Sequence, residues 1–133
     1  MNQFVRPPTG ITPLGHHVIA DLFEARNLLD AEPAAEVLKQ AAVAAGATVL
    51  SVDTHDFGDR AGFTGVVMLA ESHISIHTWP EKSYAAVDIF MCGDAQPMLS
   101  LKVLEAYFQP KQIQCQVIQR GQVDAFERSV SPK

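Results

Sequence analysis

The alternation of apolar and polar positions divides the chain into eight segments. Residues 16–23, HHVIADLF, put Val18, Ala20 and Leu22 on one side of a period-2 run, which predicts a half-buried strand. Residues 31–46 are Ala-rich and end at Gly46, which predicts a helix, with Asp30 as its N-cap. The β-branched run ATVLSVDTHDF (47–57) predicts a second strand, and DRAG (59–62) marks a turn before a third, FTGVVMLAES (63–72). HISIHTW (73–79) and YAAVDIFMC (84–92) continue the β pattern on either side of the turn PEKS. Asp94 is placed as the N-cap of a helix over 94–108, with Leu99, Val103, Leu104 and Phe108 at helical spacing. KQIQCQVIQRG (111–121) is a last alternating strand. This order predicts an α/β fold of the α+β kind, a two-layer sandwich of a mainly antiparallel sheet with helices on one face. RPPTGITPLG (6–15) reads as an irregular lead-in and ERSVSPK (127–133) as a frayed end.

Composition narrows the function classes. With 133 residues, 47% of them hydrophobic, the chain suits one domain, 1–133, with its own core. A net charge of -5 and only 10 Lys and Arg argue against nucleic acid as a partner, because phosphate-tracking surfaces present basic stripes. No stretch of about 18 consecutive apolar residues is present, and the first residues lack the charged, apolar and small-residue order of a secretory signal. A cytoplasmic protein without a membrane partner is expected. Two cysteines, Cys92 and Cys115, are too few for a disulfide framework and are read as thiols.

Reactive side chains concentrate in LAESHISIHTWPEKSYAAVDIFMCG, residues 69–93. His73 and His77 have the i, i+4 spacing of a helical metal site, but in a strand they stand roughly 13 Å apart, too far to share one ion, so no metal is expected. His16 and His17 alternate faces of a strand, so at least one of them is expected to be solvated surface, and His55, near a strand end, belongs to no motif and is read as an ordinary polar position. Ser72 does not sit in a G-x-S-x-G elbow, since Ala70 and Ile74 take the glycine positions. A lone serine at a strand end is ordinarily satisfied by backbone. Its neighbours raise its interest: His77 can act as acid or base near neutral pH, and Cys92 can donate a proton or attack as a nucleophile. Strict alternation puts His77 on the opposite face from Ser72, so their meeting requires a bend at the Glu71–His73 junction.

ESHISIHTWPE (71–81) followed by YAAVDIFMCG (84–93) closely resembles the short prokaryotic S-adenosylmethionine decarboxylase proenzymes, and the similarity extends more loosely from Gly15 to about Gly121. The resemblance implies self-cleavage between Glu71 and Ser72. Ser72 would attack the Glu71 carbonyl, and elimination would leave residues 1–71 as a β chain and 72–133 as an α chain that begins with a pyruvoyl group. His77 would take the proton in that elimination, and Thr64 occupies the place of a serine that assists processing. The pyruvoyl carbonyl, in place of pyridoxal phosphate, would form a Schiff base with the substrate and accept its electrons. Cys92 would be the proton donor in decarboxylation, Glu81 would hold the ribose hydroxyls and Phe57 would stack on adenine. The resemblance also implies a homodimer with residues of both copies around each site. Trp79 and Tyr84 are read as core or interface aromatics without a catalytic role.

FGDRAGFT (57–64) is one residue longer than the family pattern and lacks its proline, MCG stands for TCG, and PEKSYAA for PEYGYAA. These departures keep open an L-ornithine or L-arginine decarboxylase on the same scaffold. A non-catalytic metabolite-binding module with Ser72 uncut is the third reading, since fold does not fix function.

Overall fold

The structure, a computed structural model, describes residues 13–123. Most of the lead-in and the whole of 127–133 therefore lie outside the described residues. In chain order the elements are β1 (Gly15–Phe23), α1 (Ala31–Ala44), β2 (Val49–Asp56), β3 (Phe63–Leu69), β4 (Ser72–Trp79), a 3-10 turn (Pro80–Lys82), β5 (Tyr84–Cys92), α2 (Pro97–Phe108) and β6 (Gln112–Arg120). The strands form one sheet in the order β2-β3-β4-β5-β1-β6, with every neighbouring pair antiparallel. Short connections carry β2 through β5, and β1 fits between β5 and β6. The expected two-layer α+β sandwich is the observed architecture.

One sheet face is apolar in sequence, and the helices cover it. Val18, Ala20, Leu22, Ile74, Ile76, Ala85, Val87, Ile89 and Met91 point to that side and are buried with Leu38, Leu104 and Phe108. The alanines of α1 let it lie close to the sheet: Leu38 Cδ1 is 3.0 Å from where a Cβ on Gly65 would stand. Thr78 is the one polar strand residue fully within this layer among the described residues. Its hydroxyl donates to the Leu28 carbonyl at 2.8 Å and accepts from the Phe63 amide at 2.9 Å, which removes the penalty of an unpaired buried hydroxyl.

Several element ends differ from expectation. Asp30 stands at the N-cap of α1, but its side chain makes no capping hydrogen bond, and the helix stops at Ala44, two residues before Gly46. Asp94 does not cap α2. It lies in a turn, and the helix begins at Pro97, whose missing N–H costs nothing in a first turn. The boundary between β3 and β4 falls at Ala70–Glu71 rather than after Ser72, because Leu69 pairs with Ser72 across a two-residue hairpin. Ser72 thus opens a strand instead of closing one.

Candidate active site

The β3–β4 hairpin holds a non-glycine residue in the left-handed region: Glu71 has φ 67. A glutamate there costs on the order of 1–3 kcal/mol, and the peptide it strains is the one that joins it to Ser72. β5 supplies the partners. The Cys92 backbone N–H donates to Ser72 Oγ at 3.2 Å, and the Cys92 thiol donates to the Glu71 carbonyl oxygen at 3.1 Å. Hydroxyl, carbonyl and thiol are thereby brought together. A cavity of about 500 Å³ opens on the helix side of Ser72, lined also by Gly46, Thr48 and Asp94. A second, of about 550 Å³, opens on the uncovered side and is lined by Glu71, His73, Phe90, Cys92 and Arg120.

The remaining expected site residues are grouped elsewhere. Thr64 and His77 pair across β3 and β4, with Thr64 Oγ1 and His77 Nδ1 3.1 Å apart on the uncovered face. Gly62 packs against the end of β4: a Cβ there would stand 2.7 Å from both Pro80 Cδ and the Thr78 carbonyl oxygen. That contact sets the loop after Phe57 beside the 3-10 turn carrying Glu81, at the same end of the sheet as His77. Both Phe57, at 57% exposure, and Glu81 are exposed. No bend at the Glu71–His73 junction unites this group with Ser72. β4 runs extended from Ser72, so His77 lies about 16 Å farther along the strand and on the other face.

The uncovered face carries polar pairs and exposed apolar side chains. His17 Nε2 pairs with Asp88 Oδ1 at 3.1 Å, and His55 packs edge-on against Phe57 at 4.7 Å. Trp79 and Tyr84, expected as core or interface aromatics, are on this face and outside the core. They lie 5.3 Å apart, and Phe23 stacks on Tyr84 at 5.6 Å. Val66, Met68, Trp79 and Ile118 are all at least 40% exposed here. The Tyr84 hydroxyl donates to Asp21 Oδ1 at 2.6 Å. That bond to a carboxylate, with partial burial and the charges of Asp21 and Asp88, pushes the phenol up to about 12. Because the folded value lies above the unfolded one, the bond stabilises the fold fully below pH ~10 and is lost as pH rises through about 12. Tyrosinate absorbance is expected to show Tyr84 unionised at pH values where a free tyrosine has titrated, and Asp21→Asn to bring its titration down.

Sequence reasoning did not single out Arg120, whose guanidinium lies 5.5 Å from the centre of the Phe90 ring, or Gly15. Both are marked only by strand register, since Gly15 pairs with Cys92 on one side and Arg120 on the other. Among the described residues no three His, Cys, Asp or Glu side chains are placed to hold a metal ion, and no helix is long and apolar enough to cross a membrane.

Residues 16–121 match the family model described as S-adenosylmethionine decarboxylase. The chain is similar to the S-adenosylmethionine decarboxylase proenzyme of Methanococcus maripaludis strain C7, at 43% identity over 86% of this chain and 95% of that one. It is similar also to the proenzyme of Acidithiobacillus ferrooxidans, at 40% over 90% and 95%. In structure it resembles the adenosylmethionine decarboxylase of Aquifex aeolicus, with a TM-score of 0.77 and 38% identity over 83% of this chain and 92% of that one. The match spans every strand and both helices, and the chain belongs to the S-adenosylmethionine decarboxylase family.

Proposed function

We propose that this protein is a pyruvoyl-dependent S-adenosylmethionine decarboxylase that generates its own cofactor by cleavage between Glu71 and Ser72, giving fragments 1–71 and 72–133. The observation that carries this reading is the strained Glu71 peptide with a hydroxyl on one side and the Cys92 thiol on its carbonyl oxygen. Ser72 Oγ attacks the Glu71 carbonyl carbon, and the Cys92 S–H is already aimed at the oxygen on which negative charge develops. The backbone N–H of Cys92 fixes the hydroxyl rotamer. Relief of the left-handed conformation at Glu71 favours the ester over the amide. The pyruvoyl group, once formed, supplies an electron sink for the substrate's decarboxylation. Cys92 lies beside residue 72 and lines both cavities, which fits it to return a proton to the substrate carbon. The relatives are named for S-adenosylmethionine, which supports this substrate over free ornithine or arginine.

The other half of the chemistry comes from a second copy of the chain. Thr64 and His77, which would serve proton transfer in processing, and Phe57 and Glu81, which would hold adenine and ribose, lie at the far end of the sheet from Ser72. A two-fold axis lying between two sheets, across their strands, sets the Ser72 end of one copy over the His77 end of the other. The uncovered face that such stacking buries is the one carrying Val66, Met68, Trp79 and Ile118. His77 projects from that face, as this arrangement requires.

Intact mass under denaturing conditions tests the cleavage, and release of carbon dioxide from S-adenosylmethionine against ornithine tests the substrate. Two fragments split after Glu71, with the second blocked at its N-terminus, are expected. A chain that stays whole on long incubation overturns the reading in favour of a binding module. In Cys92→Ala, turnover of the cleaved fraction is expected to fall about 10²- to 10⁴-fold. Cleavage slows as well, because the Glu71 oxygen loses its donor, and Cys92→Ser, which keeps an O–H there, cleaves faster than the alanine variant in a mass time course.

A further inference from the structure

Cleavage as proposed above, on which this inference rests, creates a charge that the uncut chain lacks. Elimination breaks the Cβ–O bond of the ester. The oxygen leaves with Glu71 as an α-carboxylate, the α-proton of residue 72 goes to a base, and one water then replaces the nitrogen of residue 72, which departs as ammonia. A permanent anion is therefore born at the hairpin tip. We propose that Arg120 captures the new Glu71 carboxylate and holds the end of the 1–71 fragment clear of residue 72.

Strand register puts Arg120 and Cys92 on the same face with only Gly15 between them, two strand spacings or about 10 Å apart. Gly15 makes room there for an aromatic ring: a Cβ on it would stand 2.7 Å from Phe90 Cζ. The Phe90 ring fills the space and carries the guanidinium, which reaches from β6 towards the cavity it shares with Glu71, Ser72 and Cys92. Among the described residues Arg120 makes no ion pair, so none of their carboxylates already occupies its planar fork of donors. Cutting the chain also frees Glu71 from the left-handed conformation that the hairpin imposes, so the end can swing towards Arg120.

Two carboxylates enter this neighbourhood, and the physics separates them. The substrate's carboxylate must lose its charge in the transition state, so a guanidinium bound to it would stabilise the ground state and slow the reaction. The Glu71 carboxylate is a product that persists through every turnover, and holding it carries no such penalty. Arg120 is thus a positioning residue.

Hydrogen exchange read by mass on four proteins tests this: cleaved wild type, cleaved Arg120→Gln, uncut Ser72→Ala, and uncut Ser72→Ala with Arg120→Gln. The peptide ending at Glu71 is expected to exchange about tenfold faster or more in cleaved Arg120→Gln than in cleaved wild type, as for loss of a charged hydrogen bond. The uncut pair is expected to match, since neither has the carboxylate, and Arg120→Lys is expected to restore much of the protection. Should the glutamine variant not fold, molar salt on cleaved wild type must loosen the same peptide, and must not do so in Ser72→Ala. Equal exchange in the cleaved pair, an equal increase in the uncut pair, or no effect of salt overturns the inference while the decarboxylase reading stands. A wild type that never cleaves shows at once in its intact mass and removes both.

Discussion

Ser72→Ala is expected to remain a single full-length chain however long it is incubated, with no detectable decarboxylation, while wild type under the same conditions becomes two fragments. The substitution removes the hydroxyl proposed to attack the Glu71 carbonyl. Cys92 does not replace it: its sulfur lies 3.1 Å from the Glu71 oxygen as a donor, and attack by it would not convert residue 72 into a carbonyl. The fold should survive, since Ser72 is only partly buried and its hydroxyl accepts a single hydrogen bond, worth about 0.5–1.5 kcal/mol. A melting temperature lowered by only a few degrees beside a complete loss of cleavage would separate chemistry from folding. Two fragments from the alanine variant would place the nucleophile elsewhere and overturn the assignment of Ser72.

The layered architecture was legible because its signals are local. Strand alternation in YAAVDIFMC gave β5 its observed limits, Tyr84–Cys92, and the alanine run gave α1 to within two residues. The β3–β4 hairpin was displaced because Ala70–Glu71 offers no glycine, asparagine or proline to mark a turn. A charged residue forced into the left-handed region leaves no compositional trace. Asp94 misled in the opposite way: a good cap residue after Gly93 was overruled by Pro97, whose fixed φ suits the first helical turn better. At the site, alternation correctly separated the faces of Ser72 and His77. The bend that would bring them together within one chain does not occur, because β4 stays extended and paired with β3 and β5 along its length. Arg120 was missed for a similar reason, since its nearness to Cys92 depends on β1 lying between β5 and β6.

Chains carrying Ser72→Ala and chains carrying His77→Ala, each without activity alone, are expected to recover about a quarter of wild-type activity when produced together in equal amounts. Random pairing makes half of the dimers mixed. In a mixed dimer, one site draws position 72 from the Ser72→Ala chain and position 77 from the His77→Ala chain, and is dead. The other receives Ser72 and His77 intact, so half of the sites in half of the dimers work. The complementary pairing discriminates more sharply. Mixed dimers of wild type with a chain bearing both substitutions, isolated by two different tags, should be inactive, because every site then draws one defective residue. Were Ser72 and His77 to work within one chain, those dimers would keep one good site each and the first mixture would recover nothing. The separation of about 16 Å along β4 favours the shared site before either mixture is made.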